Sequence, residues 1–507
     1  MRPKSWQTLC RIIQVFSLGL FLYLSLQSIY AIRFDLGNLF FRLNPLTGIM
    51  VMLAGRIWIP AFAIGGVTVI LTIIFGKVWC GWICPLGTLL QFLGPKNRKS
   101  VTVPESWRRI KYILLFVTIF AVLFGSISLI VLDPITMLNR TLSAAIWPAV
   151  RAAVMQSENF FYQFEFLWGF LDWFHQTVSY PLFLDVQPVF INALPIFLLF
   201  SILVGLNWFA ERFWCRYLCP SGALLGLISR FSLSSRVVNN PCSGCGICSS
   251  KCPTGTINPQ KNYQSDPAEC VVCYNCMVNC SKNSASFVWQ VPRINVVGRQ
   301  EYDPGRRALL ASFAAAAGVA AMANIEPVVK GSHPFLIYPP GAVLPEFFSL
   351  CIRCSECIRV CPTQGLQPTL FESGWQNIFT PRLVPRLGYC QLNCKACVDA
   401  CPTGALFPMS LEQKQSYQIG LASIDKNRCL PWAYATPCIV CEEVCPVANK
   451  AVGLQVVHLQ DEQGESVTLQ QPYIKGEYCT GCGICEFKCP ISGAAAIRVF
   501  PPSDLIL

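Results

Sequence analysis

The sequence predicts an α-helical membrane bundle of four spans plus a fifth, joined to two cysteine-rich domains of the α+β class. Two observations predict this arrangement. Of the 507 residues, 53% are hydrophobic and only 13% are charged, about half of the ~25% charged residues that is usual for soluble proteins. Apolar runs fill residues 1–236, whereas the later part of the chain has a soluble composition and holds most of the 29 cysteines.

Four apolar stretches, residues 10–32, 57–78, 111–132 and 186–208, are long enough for the ~20 residues that a membrane helix needs. Arginines and lysines collect near residues 2–11, 96–109 and 212–236. The positive-inside rule places these clusters, and the N-terminus, in the cytoplasm of a bacterial inner membrane. The same rule accounts for the net charge of +12 without a basic surface for nucleic acid.

The predicted membrane domain, residues 1–236, contains a repeat. The first half carries "NPLTG" at 44–48 and "CGWICPLGTLL" at 80–90, and the second half carries "DPITM" at 133–137 and "CRYLCPSGALL" at 215–225. Repeats that enter a membrane in the same direction are related by an axis along its normal. We therefore expect Cys80, Cys84, Cys215 and Cys219 to meet near that axis, as ligands of an additional cluster or metal, as redox-active thiols, or as buried structural cysteines.

The second half also carries an insertion at residues 139–186 with the aromatic stretch "FFYQFEFLWGFLDWFH". Its two acids, Glu165 and Asp172, are seven residues apart and so share one face of a helix. One interpretation is an amphipathic helix on the outer membrane surface. The other is that this helix also covers a quinone pocket.

After the membrane domain, residues 237–297 hold two groups of four cysteines with the spacing C-x2-C-x2-C-x3-C of bacterial ferredoxins. In that pattern three thiolates of one group hold a [4Fe–4S] cluster with the last cysteine of the other group. Structural zinc sites instead use separated CxxC pairs. The predicted ligand sets are Cys242, Cys245, Cys248 and Cys280 for one cluster, and Cys270, Cys273, Cys276 and Cys252 for the other.

The last domain, residues 333–507, holds four further groups and therefore four further clusters, which makes six [4Fe–4S] clusters in all. The groups are Cys351, Cys354, Cys357, Cys361; Cys390, Cys394, Cys397, Cys401; Cys429, Cys438, Cys441, Cys445; and Cys479, Cys482, Cys485, Cys489. Because the second and third groups have irregular first gaps, we expect them to pair with each other, in a nested arrangement with the outer two. Sequential pairing is the alternative.

Residues 298–332 connect the two cysteine-rich domains. Arg306 and Arg307 precede an apolar, alanine-rich run, which is typical of a twin-arginine export signal or of a fifth span. Both interpretations put the last domain outside the cytoplasm. A soluble alanine-rich helix is a third interpretation.

Several enzyme classes are excluded by their missing motifs. The chain has no P-loop, no GxGxxG for a dinucleotide and no CxxCH for c-type haem. Electron transfer through iron–sulfur clusters is the chemistry that the cysteine groups indicate. A quinone headgroup would need polar contacts at the membrane edge, and the candidates are Asp133, Arg140 and His175, with Asn44, Glu165 and Asp172 also expected on the outer side.

On these motifs, residues 1–290 resemble the NapH family and residues 299–507 resemble the NapG family, as in a fusion of the two. The membrane part is also similar to NosR and to polyferredoxins of the CcoG type. The resemblance implies a quinol dehydrogenase component that takes electrons from the quinone pool and passes them to a periplasmic reductase or cytochrome. Two alternatives remain: a redox maturation factor for a metalloenzyme, and reverse electron flow into the quinone pool.

Overall fold

The computed structural model describes residues 3–27, 37–94, 104–179, 190–239, 242–289, 310–311, 313–315, 317–318, 336–344, 346–372, 374–460 and 466–502. The chain forms two compact units. The first contains residues 1–28, 32–139 and 197–322, and the second contains residues 29–31, 140–196 and 323–507. The first cysteine-rich domain therefore shares a unit with the apolar helices that precede it, and the aromatic insertion shares a unit with the last domain.

Helices account for the N-terminal half of the chain. They are α1 Pro3–Gln27, α2 Leu39–Leu43, α3 Pro45–Gly55, α4 Gly65–Phe75, α5 Pro85–Phe92, α6 Arg108–Leu123, α7 Pro134–Thr141, α8 Trp147–Phe161, α9 Trp168–Phe174, α10 Ala193–Leu206, α11 Phe213–Tyr217 and α12 Pro220–Ser229. Turns of π-helix occupy Trp79–Ile83, Leu142–Ile146 and His175–Ser179. Turns of 3₁₀-helix occupy Pro60–Ile64, Glu105–Trp107, Ser128–Leu132 and Glu165–Leu167.

The prediction of four spans plus a fifth is wrong. Within the described ranges a single helix, Pro3–Ser25, is long and apolar enough to cross a membrane, and the remaining apolar helices have 10–17 residues. Glycines explain two of the early stops: α4 ends at Gly76, with φ of 84°, and Gly125, with φ of 83°, follows α6. The predicted stretch 186–208 lies partly outside the described residues, and so does most of 298–332, including Arg306 and Arg307.

Prolines explain why the other helices are short. Four of the short helices begin at a proline, which has no N–H to leave unpaired in the first turn. The residues that cap these helix starts are Asn44, Cys84, Asp133 and Cys219. The Asp133 carboxylate accepts hydrogen bonds from the N–H groups of Ile135 and Thr136, both at 3.1 Å. The repeated Asn-Pro, Asp-Pro and Cys-Pro steps of the sequence are therefore repeated helix starts.

A small antiparallel sheet encloses the first cysteine-rich domain. Strand β1, Ser234–Val238, pairs with β2, Ala285–Trp289, so that Arg236 lies opposite Phe287. Two short helices, α13 Ile247–Ser250 and α14 Asn275–Val278, lie between the strands along the chain. Both cysteine groups of this domain are thus contained between one pair of strands.

The last domain repeats this organisation with three two-stranded antiparallel sheets, β3–β4, β5–β8 and β6–β7. Its strands are β3 Leu366–Pro368, β4 Pro381–Leu383, β5 Leu421–Ile424, β6 Val452–Gln460, β7 Ser466–Ile474 and β8 Ile497–Phe500. Its helices are α15 Glu346–Leu350, α16 Glu356–Arg359, α17 Ala396–Asp399, α18 Leu411–Ser416, α19 Leu430–Ala433, α20 Val440–Glu443 and α21 Ile484–Lys488. Its core includes Ile337, Phe347, Ile358 and Leu406.

Candidate iron–sulfur centres

Three cavities in the last domain are each lined by four cysteines. Each cavity combines the first three cysteines of one group with the last cysteine of a neighbouring group. We name them site B, with Cys390, Cys394, Cys397 and Cys361; site C, with Cys479, Cys482, Cys485 and Cys445; and site D, with Cys429, Cys438, Cys441 and Cys489.

A fourth set of thiols, site A, contains Cys351, Cys354, Cys357 and Cys401. Burial raises the pKa of the Cys357 thiol well above its usual range, and the neighbouring thiols of Cys354, Cys351 and Cys401 raise it further. Cys401 also raises the pKa of Cys354. The same exchange of last cysteines therefore applies: site A takes Cys401 from the second group, and site B takes Cys361 from the first.

The nested pairing expected from the sequence is wrong, because the groups pair sequentially, first with second and third with fourth. Strand β5 precedes the third group and pairs with β8, which follows the fourth, so this sheet encloses those two groups as one module. The eight-residue gap of the third group contains helix α19. The irregular gap thus adds a local helix and leaves the choice of partner unchanged.

The two modules meet where the Cys390 N–H donates a hydrogen bond to the Cys482 carbonyl oxygen at 2.8 Å. Cys390 belongs to site B and Cys482 to site C. Sites A and B share one module, and sites C and D share the other. The four sites therefore follow one another in the order A, B, C, D.

In the first unit, the thiol of Cys252 joins those of the second cysteine group. Burial raises the pKa of Cys273 well above its usual range, and Cys252, Cys270 and Cys276 raise it further. We name this set site E. Burial raises the pKa of Cys248, and the neighbouring thiols of Cys242 and Cys245 raise it further. That Cys280 is the fourth ligand of this set stays a prediction. The Arg236 side chain donates to Cys276 Sγ at 3.2 Å.

The two Cys-x3-Cys-Pro motifs, which we call the Cys-Pro motifs, bring four thiols together in the first unit. Cys80 and Cys84 come from one repeat and Cys215 and Cys219 from the other. Each of the four thiols interacts electrostatically with the other three. Cys84 and Cys219 are buried, and Cys80 and Cys215 are half-buried.

Buried polar side chains hold the first Cys-Pro motif in place. Gln14, on α1, donates to the Gly81 carbonyl at 2.6 Å, and Ser17, one turn further on, donates to the Ile83 carbonyl at 2.6 Å. Arg212, just before the second motif, is fully buried and donates to the Cys80 carbonyl at 3.0 Å. These donors satisfy carbonyl groups that the π-helical turn would otherwise leave unpaired.

Residues 267–272, which we call the docking loop, connect site E to the Cys-Pro motifs. The Trp82 indole donates to the Val272 carbonyl at 3.0 Å, and the Lys77 ammonium donates to the Ala268 carbonyl at 3.2 Å. Gly81 lies directly on the loop, because a Cβ atom there would be 2.0 Å from the Val271 oxygen. The loop that leads into Cys270 therefore packs on the backbone of the first motif.

A buried ion pair closes this contact. The Lys111 ammonium binds the Glu269 carboxylate, and the Tyr112 hydroxyl donates to the other oxygen of Glu269 at 2.9 Å. Burial raises the pKa of Glu269, but the positive charges of Lys111 and Lys77 outweigh burial and hold that pKa at about 2. Glu269 is thus ionised at neutral pH and paired.

The three candidate residues for a quinone site differ in their exposure to solvent. Asp133 is buried and accepts hydrogen bonds from Asn44 Nδ2 at 2.5 Å and Ser221 Oγ at 3.0 Å. Arg140 is buried and stacks over the Phe379 ring at 4.0 Å. His175 is accessible, with its side chain 48% exposed.

His175 has a partner that sequence reasoning missed. Its Nδ1 lies 3.3 Å from Glu158 Oε2, and the Ser179 hydroxyl donates to the other oxygen of Glu158. Asp172 instead accepts from the Tyr162 hydroxyl at 2.8 Å, and Glu165 opens a 3₁₀ turn. Glu158 is buried on α8, 17 residues before His175. No sequence motif marks this pair, so only the fold reveals it.

The thiol sites suit iron–sulfur clusters better than single ions. All 29 cysteines are free thiols. Zn–S bonds of about 2.3 Å bring ligand sulfurs within about 4 Å of one another. In the part of the chain that the structure describes, no three Cys, His, Asp or Glu side chains lie close enough to hold one metal ion. Four thiols around a cavity match the cage that a [4Fe–4S] cluster requires.

Family models match the two repeats and the first two cysteine groups of the last domain. The model described as "4Fe-4S binding domain" matches residues 49–104 and 192–241, so each matched segment contains one Cys-Pro motif. The model described as "4Fe-4S dicluster domain" matches residues 350–406, which contain sites A and B. No solved structure matches the chain.

Known proteins confirm the resemblance to NapH, NapG and NosR. The ferredoxin-type protein NapH of Escherichia coli is 23% identical over 56% of this chain and 88% of its own length. NapG of the same organism is 30% identical over 23% of this chain and 51% of its own length. The regulatory protein NosR of Stutzerimonas stutzeri is 29% identical over 40% of this chain and 23% of its own length.

A further relative is similar over nearly its whole length. The methylamine utilization ferredoxin-type protein MauM of Methylorubrum extorquens is 36% identical over 208 residues, which cover 39% of this chain and 90% of MauM. Together with the four-cysteine sites described above, this match shows that the chain belongs to the family of ferredoxin-type proteins that includes MauM, and that it is an iron–sulfur electron-transfer protein.

Proposed function

We propose that the chain is a membrane-bound quinol dehydrogenase component that carries six [4Fe–4S] clusters and delivers electrons to a periplasmic reductase or cytochrome. The observation that carries this proposal is the series of sites A, B, C and D, joined by the Cys390–Cys482 hydrogen bond. A series of one-electron sites suits relay of electrons over a distance. Sites A to E and the set of Cys242, Cys245, Cys248 and Cys280 would together hold about 24 iron atoms.

Oxidation of a quinol to a quinone releases two electrons and two protons. The clusters would accept the electrons one at a time, and the protons need a base at the quinol hydroxyl groups. His175 is the candidate base, because its ring is accessible and its Nδ1 faces the Glu158 carboxylate. That carboxylate would orient the ring and stabilise the imidazolium that forms.

Apolar surface supports the membrane location. Helix α1 is a candidate span, and exposed apolar side chains include Phe16 at 68%, Trp58 at 71% and Ile202 at 61%. Exposed apolar side chains on these helices suit contact with lipid or with other proteins. We propose the bacterial inner membrane, with the N-terminus cytoplasmic and the last domain periplasmic. Reporter fusions at the two ends test this orientation, and equal activity of a cytoplasmic reporter at both ends would contradict it.

The decisive experiment is reduction of the purified, full-length protein by a quinol analogue, followed by low-temperature electron paramagnetic resonance. Quinol should produce the signals of reduced clusters, and dithionite sets the full amplitude. Replacing His175→Gln should slow quinol-driven reduction by about 100-fold, the lower end of a general base's contribution, and leave reduction by dithionite unchanged.

His458→Gln is the matched control, because His458 is an exposed histidine on the hairpin β6–β7 whose Nδ1 contacts the Thr468 hydroxyl at 3.0 Å. It should reduce at the wild-type rate. Clusters that dithionite reduces and quinol leaves oxidised would contradict the quinol assignment, while electron transfer itself would stand.

A further inference from the structure

The second cysteine group of the last domain has an irregular first gap that cluster binding at site B does not itself require. Three residues separate Cys390 from Cys394, whereas a regular group has two at this point. In the structure the gap contacts helix α18, Leu411–Ser416, because the Gln415 side chain donates to Asn393 Oδ1 at 2.7 Å. The gap therefore holds a helix of the chain against site B.

Helix α18 directs a buried lysine toward site B. A capping box fixes its first turn, in which Ser410 Oγ accepts from the Gln413 N–H at 3.1 Å and Gln413 Oε1 accepts from the Ser410 N–H at 2.8 Å. Lys414 follows, and its ammonium donates to the Gln391 carbonyl at 3.3 Å. Gln391 lines the cavity of site B. Lysines are almost never fully buried unless they are paired, yet Lys414 is only 3% exposed.

The charge of Lys414 needs an anion. Among the described residues its ammonium donates to an uncharged carbonyl oxygen and forms no ion pair with a carboxylate. Arg359, a buried cation of the same module, is by contrast paired with Glu356. Burial of a charge is costly unless an opposite charge compensates it. The compensating negative charge for Lys414 is therefore to be sought at site B itself.

The thiols of site B lie within reach of this charge. Burial raises the pKa of the Cys390 thiol to about 11, and Lys414 opposes that rise through its charge and a hydrogen bond. The same charge favours the ionised forms of Cys394 and Cys397. Four thiolates make a [4Fe–4S] site negative, and reduction adds one further negative charge. A nearby cation therefore stabilises the reduced site more than the oxidised site.

We propose that Lys414 is the counter-charge of site B and raises the reduction potential of the cluster there. Reduction adds one electron to the site and transfers no atom, and the ammonium keeps its proton. Net charge is one of the means by which a protein sets the potential of a cluster. The charge of Lys414 thus draws an electron that sites B and C exchange toward site B. The inference rests on the iron–sulfur relay of the proposed function, but not on quinol as the donor.

The test is a redox titration of the full-length protein, purified without oxygen, with dithionite as the reductant and electron paramagnetic resonance as the readout. The component of the spectrum that Cys361→Ala lacks identifies site B, because Cys361 lines its cavity. Lys414→Met should weaken electron binding at site B about tenfold, which lowers its midpoint potential by about 59 mV for one electron. Lys414→Arg keeps the charge and should keep the wild-type potential.

Lys395→Met is the matched control. Lys395 directly follows the ligand Cys394, but its side chain is 38% exposed and is already paired with Asp399. Removal of this charge should leave the potential of site B unchanged, because solvent and the partner carboxylate screen it. A fall in potential as large as that of Lys414→Met would contradict a special role for the buried lysine.

An unchanged potential in Lys414→Met with full iron content would overturn the inference. An equal fall in Lys414→Arg would also overturn it, because the effect would then come from packing rather than from charge. Should Lys414→Met lose the cluster of site B, pulsed electron paramagnetic resonance of the wild type, isotope-labelled at lysine Nζ, decides instead. A nitrogen coupling to the site B signal that persists in Lys395→Met is expected, and its absence would overturn the inference. Failure of quinol to reduce the protein would defeat only the quinol assignment, because dithionite drives the titration.

Discussion

The ferredoxin-like sites and the Cys-Pro motifs assemble four thiols in opposite ways. In sites A to D, three thiols come from one stretch of 7 to 13 residues and the fourth comes from its partner group. In the Cys-Pro motifs, two thiols come from each of two repeats that are distant in the sequence. The first arrangement depends on local turns. The second depends on buried side chains such as Arg212, which ties one repeat to the other.

This difference teaches where each kind of site is vulnerable. A ferredoxin-like site should fail when one ligand is removed, whichever cysteine group supplies it. The Cys-Pro motifs should fail when the packing of the repeats or of the docking loop is disturbed. Three changes test these statements, beginning with the largest expected effect.

Cys361→Ala should abolish site B, although Cys361 belongs to the first cysteine group. Its thiol lines the cavity of Cys390, Cys394 and Cys397. The variant should lose up to four iron atoms and interrupt electron transfer from site A to site C. Iron analysis and electron paramagnetic resonance measure both effects.

The matched variant is Cys401→Ala, which should disable site A and leave site B intact. If the two variants instead gave the same spectrum, or if Cys361→Ala left the signals of site B unchanged, the sequential pairing would be wrong.

The cysteine positions of these sites could be predicted from the sequence because ferredoxin spacing is local. The partner of each group could not, because it depends on which strands pair. The hydrogen bonds of β5 with β8, rather than the irregular gap between Cys429 and Cys438, decide that the third and fourth groups share a module.

Hydropathy alone did not predict the lengths of the helices. Apolar composition predicted long spans, but Gly76 stops α4 and prolines such as Pro85 begin new helices. The meeting of the four Cys-Pro thiols was expected from the repeat. Glu158 was missed, because its pairing with His175 arises from the fold of the insertion.

Lys111→Met should destabilise the first unit by about 3–5 kcal/mol, because it leaves the Glu269 carboxylate buried without its counter-charge. Both side chains are at most 6% exposed. The expected result is a lower midpoint of the first thermal transition and faster proteolysis of the docking loop. A variant of the exposed pair Lys395–Asp399, Lys395→Met, should change the midpoint little, since exposed pairs contribute about 0–1 kcal/mol.

The double variant Lys111→Met/Glu269→Gln sharpens this prediction. It removes both charges together, so most of the lost stability should return. A double variant that is as unstable as Lys111→Met would show that the lysine contributes by packing rather than by compensating charge.

Gly81→Ala should have the smallest effect, about 1–3 kcal/mol, which is typical of overpacking. The added methyl group would lie 2.0 Å from the Val271 oxygen, so the docking loop must move away from the first Cys-Pro motif. The control is Gly205→Ala on α10, where nothing lies within 4 Å of the added atom and alanine favours the helix by about 1 kcal/mol. Gly81→Ala should lower the midpoint of the first thermal transition and speed proteolysis of the docking loop, because the loop can no longer pack on the first Cys-Pro motif. An unchanged midpoint and an unchanged rate of proteolysis would show that the loop does not need this contact for its stability.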